Sequence, residues 1–261
     1  MTASLEPVNS FEAVQIRISQ GKVPRFGPIL MLVARSAFIL IAQGITYLLL
    51  VHFKVANTPV VIRNWWTVYG TLADLGCIGL LIWLTKKEGI RLRDLIGLVK
   101  SRLKKEIPLG LLVFIAIFPV TILGGGLLGR LIAYGRPDVT FPEFTFYRSL
   151  PFLAVLYSRL LWWPLWSVTE EMTYNGYALP RLVAQTRTRW LPVVIVSFFF
   201  ALQHSFLMLA GWRFGFYSFL TFVPLTVAME IVYLRIRCLP PFIVAHWLMD
   251  LSSVLFLLKV G

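Results

Sequence analysis

Cysteine is almost absent from this 261-residue chain: Cys77 and Cys238 stand alone, which excludes a disulfide framework and a cysteine-rich metal site. Charge is sparse too, at 14% of residues, and acid is the scarcer sign, with 12 Asp and Glu against 25 Lys and Arg. No His-Glu-x-x-His, Gly-x-Ser-x-Gly or P-loop pattern occurs, so those three chemistries have no support in the sequence. The polar N-terminus lacks the short apolar core and small-residue cleavage site of a secretory signal, so the first apolar span is expected to direct insertion. Internal repeats and low-complexity tracts are missing as well, and with them the sequence sign of a repeat-built transporter.

What fills the chain is hydrocarbon: 58% of residues are apolar, many in runs near the length that crosses a bilayer. The expected fold is all-α, a polytopic transmembrane helix bundle with spans at 29–51, 65–85, 107–133, 150–180, 190–210, 214–234 and 239–258. Seven becomes eight if Pro119 and Gly124-Gly125-Gly126 split the third. The chain then divides into a cytoplasmic segment 1–28, N-terminal spans over 29–149 with a basic loop at 86–106, and a membrane core over 150–258.

The net charge of +13 gathers between the spans and not along a soluble face, so it speaks for orientation and against nucleic acid. Lys86, Lys87, Arg91, Arg93, Lys100, Arg102, Lys104 and Lys105 crowd one loop. The loops of the opposite side hold only Lys54, Arg63, Arg136, Arg148, Arg213 and Lys259. The positive-inside rule places the N-terminus in the cytoplasm of a multi-pass plasma (inner) membrane protein. Leu92, Leu95, Ile96, Val99 and Leu103 recur at helical spacing in the basic loop and predict a helix lying in the interface. Asn9-Ser10-Phe11-Glu12 predicts the cap of a short helix ending near Gly21.

Ionisable groups inside spans are costly and read as functional candidates. Glu170 and Glu171 lie before Arg181, His204 after Arg189 and His246 after Arg237, at depths of roughly 15–22 Å from one boundary by helical rise. Glu170 shares a helix face with Tyr174, and Glu171 shares the adjacent one with Asn175. His246 and Asp250 are also four apart, so the carboxylate can orient the ring. Arg35, Asp74, Arg130, Arg159 and Glu230 are assigned to structure, with Glu230 expected to snorkel toward Arg235. Trp162, Trp163 and Trp166 are expected to pack or anchor.

A Glu pair, then Phe200-x-x-x-His204, then His246-x-x-x-Asp250 resembles the CPBP family of intramembrane glutamic endopeptidases, which process CAAX prenyl proteins and bacteriocins. Its pattern is E-E-x-x-x-R, F-x-x-x-H and H-x-x-x-[ND], and the resemblance runs over about residues 150–255. It implies that the last four spans form the protease core, with Glu170 as the base that activates water and His204 as its partner in binding that water. His246 and Asp250 would stabilise the oxyanion, with Glu171, Tyr174 and Asn175 in support. An ionised Asp only accepts hydrogen bonds, so Asp250 would have to carry a proton or act by holding His246 as the donor.

Asn175 departs from the family pattern, which has Arg there. Glu171 is therefore expected to be protonated or to find Arg159 or Arg181, and Asn175→Arg is expected to be tolerated. The resemblance favours chemistry without cofactor or metal; Glu170, His204 and His246 would be the zinc set of an alternative reading. The substrate would be a peptide or lipidated protein at the bilayer. Rival readings are a catalytically silent scaffold or immunity protein, and a transporter or proton relay using the same buried groups.

Overall fold

The computed structural model describes residues 8–139, 150–208 and 210–257, which are helical with no strand among them. The expected boundary at 149/150 and the loop bases Arg148 and Lys259 fall at or within stretches outside the described residues. Among the described residues, five helices are long and apolar enough to cross a bilayer. They include α2 (Gly27–His52) and α3 (Thr58–Glu88). A third is formed by α4 (Leu103–Pro119) running through a π-helical stretch, Val120–Leu127, into α5 (Leu128–Tyr134). The others are α9 (Trp190–Leu207) and α10 (Trp212–Ile236).

Two further helical stretches stand where the fourth and seventh spans are expected. Over 152–186 the chain passes from α6 (Phe152–Tyr157) through a π-turn into α7 (Trp163–Glu171), then through Met172–Ala178 into α8 (Leu179–Thr186). The last is α11 (Pro240–Leu257). α9 pairs with α10, α11 with both α4 and α7, and α2 with α3 and α9. Side chains such as Leu112, Ile115, Leu123 and Ile132 stay more than half exposed on α4 and α5, the face an apolar solvent requires.

The π-stretch Met172–Ala178 has a local cause. Pro180 has no N–H to give Gly176, so the ladder loses a bond just beyond the site residues. Arg181 fills the gap by donating from Nη1 to the carbonyls of Gly176 and Tyr177, at 3.2 and 3.1 Å. Every side chain in this stretch is buried, so the widened turn sits in the core. Gly125, in the other long π-stretch, is where α10 comes closest. A Cβ there would lie 2.1 Å from the Thr221 carbonyl oxygen, so only glycine permits the crossing.

The N-terminal helix is found where expected. α1 (Phe11–Ser19) is capped by Ser10, whose side chain accepts from the Ala13 amide, and Gly21 turns the chain with φ +68°. The interfacial helix in the basic loop is not. Residues 92–95 make a separate 3₁₀ turn and residues 100–102 a second that leads straight into α4, because Gly89 and Gly97 take left-handed φ of +75° and +64° and break the path. The apolar periodicity is real but serves another end: Leu95 is 1% exposed and packs in the main core, near Gly176.

Candidate active site

Glu170 and Glu171 end α7, immediately before the π-stretch, and both are fully buried. A shift of hydrogen-bond register at this point rotates the downstream residues relative to a regular helix. Such π-bulges are frequent at functional sites. The two neighbours part company in their contacts.

Glu170 is held by one oxygen. Its Oε1 accepts from Arg35 Nη2 at 3.1 Å and from Gln203 Nε2 at 2.6 Å. Arg35 itself donates from Nη1 to Asp74 Oδ1 at 2.9 Å and from Nε to Gln203 Oε1 at 2.6 Å, while its guanidinium lies 4.5 Å from the Trp166 ring centre. Three helices thus meet at one carboxylate oxygen, α2 with Arg35, α7 with Glu170 and α9 with Gln203, and α3 braces the guanidinium through Asp74. The other oxygen, Oε2, has no hydrogen bond and stands 3.4 Å from His246 Nε2.

Glu171 is held differently. Its Oε2 accepts from Asn175 Nδ2 at 2.8 Å, and its Oε1 lies 3.0 Å from His246 Nδ1. Of the cations expected for Glu171, Arg181 is not its partner. Arg181 is committed to Glu88, at 2.7 Å from both Nε and Nη2, and Asn175 itself replaces the cation with an amide donor. Asn175 is 3% exposed, so the larger guanidinium of Asn175→Arg would have to displace packed neighbours.

His246 comes from α11 and faces three carboxylates. A carboxylate only accepts, so Nδ1 carries its hydrogen toward Glu171, while Nε2 looks toward Glu170 and, at 3.7 Å, Asp250 Oδ2. The group that fixes the ring is thus Glu171, not Asp250. Asp250 is tied instead to Ser167, whose hydroxyl donates to Oδ2 at 2.5 Å.

His204 completes the set from α9. Its Nδ1 donates to the Phe200 carbonyl at 2.9 Å, the bond of an imidazole pinned to its own helix, which leaves Nε2 for another partner. The ring is sandwiched between Phe200 and Phe222, at centroid distances of 5.0 and 3.5 Å. It makes no direct hydrogen bond to Glu170; the two imidazoles meet as walls of one cavity. That cavity, about 420 Å³, is lined by His204, His246 and Asp250 on its polar side and by Trp66, Trp162, Trp166, Phe200, Phe214, Phe222 and other apolar groups elsewhere. Tyr174 packs its ring 4.7 Å from Phe200 and leaves its hydroxyl without a partner.

Several assignments change. Arg35, expected to be structural, sits on the Glu170 carboxylate, and Asp74 braces Arg35. Trp162 and Trp166 pack in the buried core, as one of the two expected roles has it, and also line the cavity. Glu230 does not reach for Arg235; it is 2% exposed. Gln203 and Ser167 hold places in the site that the motif pattern does not mark. Gln203 lies inside the Phe-x-x-x-His motif, and its polarity beside a buried His is the one signal the sequence offers. Among the described residues, no group of three His, Cys, Asp or Glu side chains is arranged to hold a metal ion.

Residues 150–252 match the family model described as type II CAAX prenyl endopeptidase Rce1-like. The match covers the stretch that carries the Glu pair and both His motifs, so the resemblance to the CAAX-processing CPBP family holds over those residues, and that family is one of membrane peptidases. No curated protein and no solved structure matches the chain. Arg35 and Asp74 lie outside the matched residues. Together with its apolar helices, the match supports an integral membrane protein whose residues 150–252 are similar to that peptidase family.

Proposed function

We propose that the protein is an intramembrane endopeptidase in which Glu170 activates water for attack on a peptide bond at the membrane. One observation carries this reading. Glu170 Oε1 is saturated by Arg35 and Gln203, so the side chain is fixed, while Oε2 is left unpartnered and turned toward His246 beside the cavity. A base needs that combination: a fixed carboxylate with one open lone pair.

The residues in place supply the chemistry. Water held between Glu170 Oε2 and His204 Nε2 gives its proton to Glu170 as its oxygen bonds to the scissile carbonyl carbon. Negative charge moves onto the carbonyl oxygen. His246 in its imidazolium form donates from Nε2 to that oxygen while Nδ1–H remains on Glu171. Collapse of the tetrahedral intermediate breaks the C–N bond, and the proton on Glu170 passes to the departing amine. Asp250, steadied by Ser167, sets the charge around His246 and closes one side of the cavity. No metal is required for any of these steps; activity lost to a chelator and restored specifically by zinc would overturn that part of the reading.

The cavity's aromatic lining suits a substrate that presents an apolar group beside its scissile bond, such as a lipidated protein tail, or a membrane-embedded peptide. The excess of basic residues on one set of loops supports a cytoplasmic N-terminus in the plasma membrane.

The test is cleavage of a membrane-tethered, prenylated peptide by the protein reconstituted in vesicles. Glu170→Gln keeps the shape and the Arg35 contact but removes the base, and is expected to lower the rate by about 10²–10⁴-fold. Unchanged cleavage would end the proposal, and a scaffold would take its place. Ion-dependent uptake by the same vesicles, without cleavage, would favour a transporter.

A further inference from the structure

We propose that the end of the bundle where α9 begins and α10 ends holds the phosphate of an anionic phospholipid. A cavity of about 210 Å³ lies there, away from the catalytic residues, lined by Arg189, Trp190, Val193, Ile231, Leu234 and Arg235. Its composition is divided: two guanidiniums at the rim and an aliphatic floor. Both arginines are exposed, and among the described residues neither forms an ion pair with a carboxylate. Two like charges beside one pocket without a counter-ion call for an anion. α9 adds to the field, since its first turn carries no side-chain cap.

The aliphatic floor separates a lipid from a free ion. Trp190, Leu191 and Val194 continue from the rim along α9 as a half-exposed apolar row, at 68%, 51% and 62%. An inorganic phosphate uses only the arginines; a phospholipid also lays an acyl chain along that row. Basic pockets between helix ends are suited to such headgroups.

The purified full chain is titrated with dioleoyl-phosphatidylglycerol or with dioleoyl-phosphatidylcholine, and bound lipid is counted by native mass spectrometry. Phosphatidylglycerol is expected to bind preferentially, and Arg189→Ala with Arg235→Ala to lower its affinity about tenfold while leaving phosphatidylcholine unaffected. The paired lysine variant, which keeps both charges, is expected to retain most of the binding, and so separates lost charge from lost folding. Lys104→Ala with Lys105→Ala serves as the control. These lysines adjoin Glu106, which accepts from Cys238 near Arg235, and so lie at the same end but outside the cavity. Equal binding by the parent and the double-alanine variant would overturn the proposal. So would an equal loss in the lysine control, which indicates diffuse charge, or displacement of phosphatidylglycerol by inorganic phosphate alone.

Discussion

The Arg181–Glu88 cluster and the Arg35–Asp74–Glu170 cluster are both buried among the described residues, and they differ in that the second is open. In the first, Arg181 donates twice to Glu88, Arg17 adds a contact at 3.2 Å, and the remaining Arg181 donor bonds the Asn9 side chain and two backbone carbonyls. Both Glu88 oxygens are taken. In the second, Arg35 serves Asp74 and Glu170 together, and one oxygen of each carboxylate is left without a partner. The lesson is that a buried ion pair is not by itself a sign of chemistry. A closed cluster fastens; an open one beside a cavity has capacity left for a substrate or a water.

The clusters differ also in where their parts come from. The closed one ties α1 to α3 and α8, so its role is to hold the N-terminal segment on the bundle. Burial, and after it the neighbouring Arg181, hold the Arg17 guanidinium below its ordinary range, the mark of a cation drawn into a shared contact. The open cluster joins α2 and α3 to the family-matched helices. The peptidase-like stretch is therefore not self-contained: its proposed base is positioned by Arg35, 135 positions upstream.

The comparison can be broken most severely at Arg35. Arg35→Met strands Glu170 and Asp74 in the core and is expected to cost about 3–5 kcal/mol, with cleavage lost. Adding Asp74→Asn should recover much of the stability, read by thermal melting, but little of the activity. A variant Arg35→Met that melts and cleaves as the parent does would show that the open cluster positions nothing.

Glu88→Gln is the matching cut in the closed cluster. It leaves Arg181 and Arg17 with a neutral acceptor, and a fall in stability of about 1–3 kcal/mol is expected, with cleavage per folded molecule nearly unchanged. Asn175→Arg sharpens the contrast within the Glu pair. Overpacking is expected to cost about 1–3 kcal/mol, seen as a lower melting temperature; a raised one would mean that the family's cation still has a place beside Glu171.

The smallest effect is expected at Cys238, in the turn between α10 and α11. Burial first, then the hydrogen bond and charge of Glu106, push its thiol up to about 12. Only the thiolate reacts, so alkylation of the folded protein by iodoacetamide should be negligible near pH 8 and rise steeply only as pH approaches that value. Glu106→Gln should bring the reactive range down. Rapid labelling of the parent at pH 8 would contradict the assigned contact.

Much of this site is legible in the sequence because its residues repeat at helical intervals. Glu171 and Asn175, or His246 and Asp250, share a face through spacing alone, and buried charge in apolar spans stands out by its cost. The partnerships across helices are not legible. Nothing in the spacing of Arg35, Asp74, Gln203 and Glu170 says that one guanidinium will meet all three, since tertiary packing alone sets which faces meet. Likewise Ser167, one small hydroxyl in an aromatic run, gives no sign that it will hold Asp250. The helix expected in the basic loop fails for a local reason: apolar periodicity predicts it, and the left-handed turns at Gly89 and Gly97 override that periodicity. A helical stretch does stand at 150–180, but its π-turn depends on the lost Pro180 donor and the capture of the freed carbonyls by Arg181.

The most direct test sets Glu170→Gln beside Glu88→Gln in the same vesicles, measuring cleavage of the tethered peptide and the fraction folded for each. The open-cluster variant should lose cleavage while remaining folded, and the closed-cluster variant should lose stability while its folded molecules still cleave. Full cleavage by Glu170→Gln, or equal loss of cleavage in both at equal folded fraction, would contradict the assignment of Glu170 as the base.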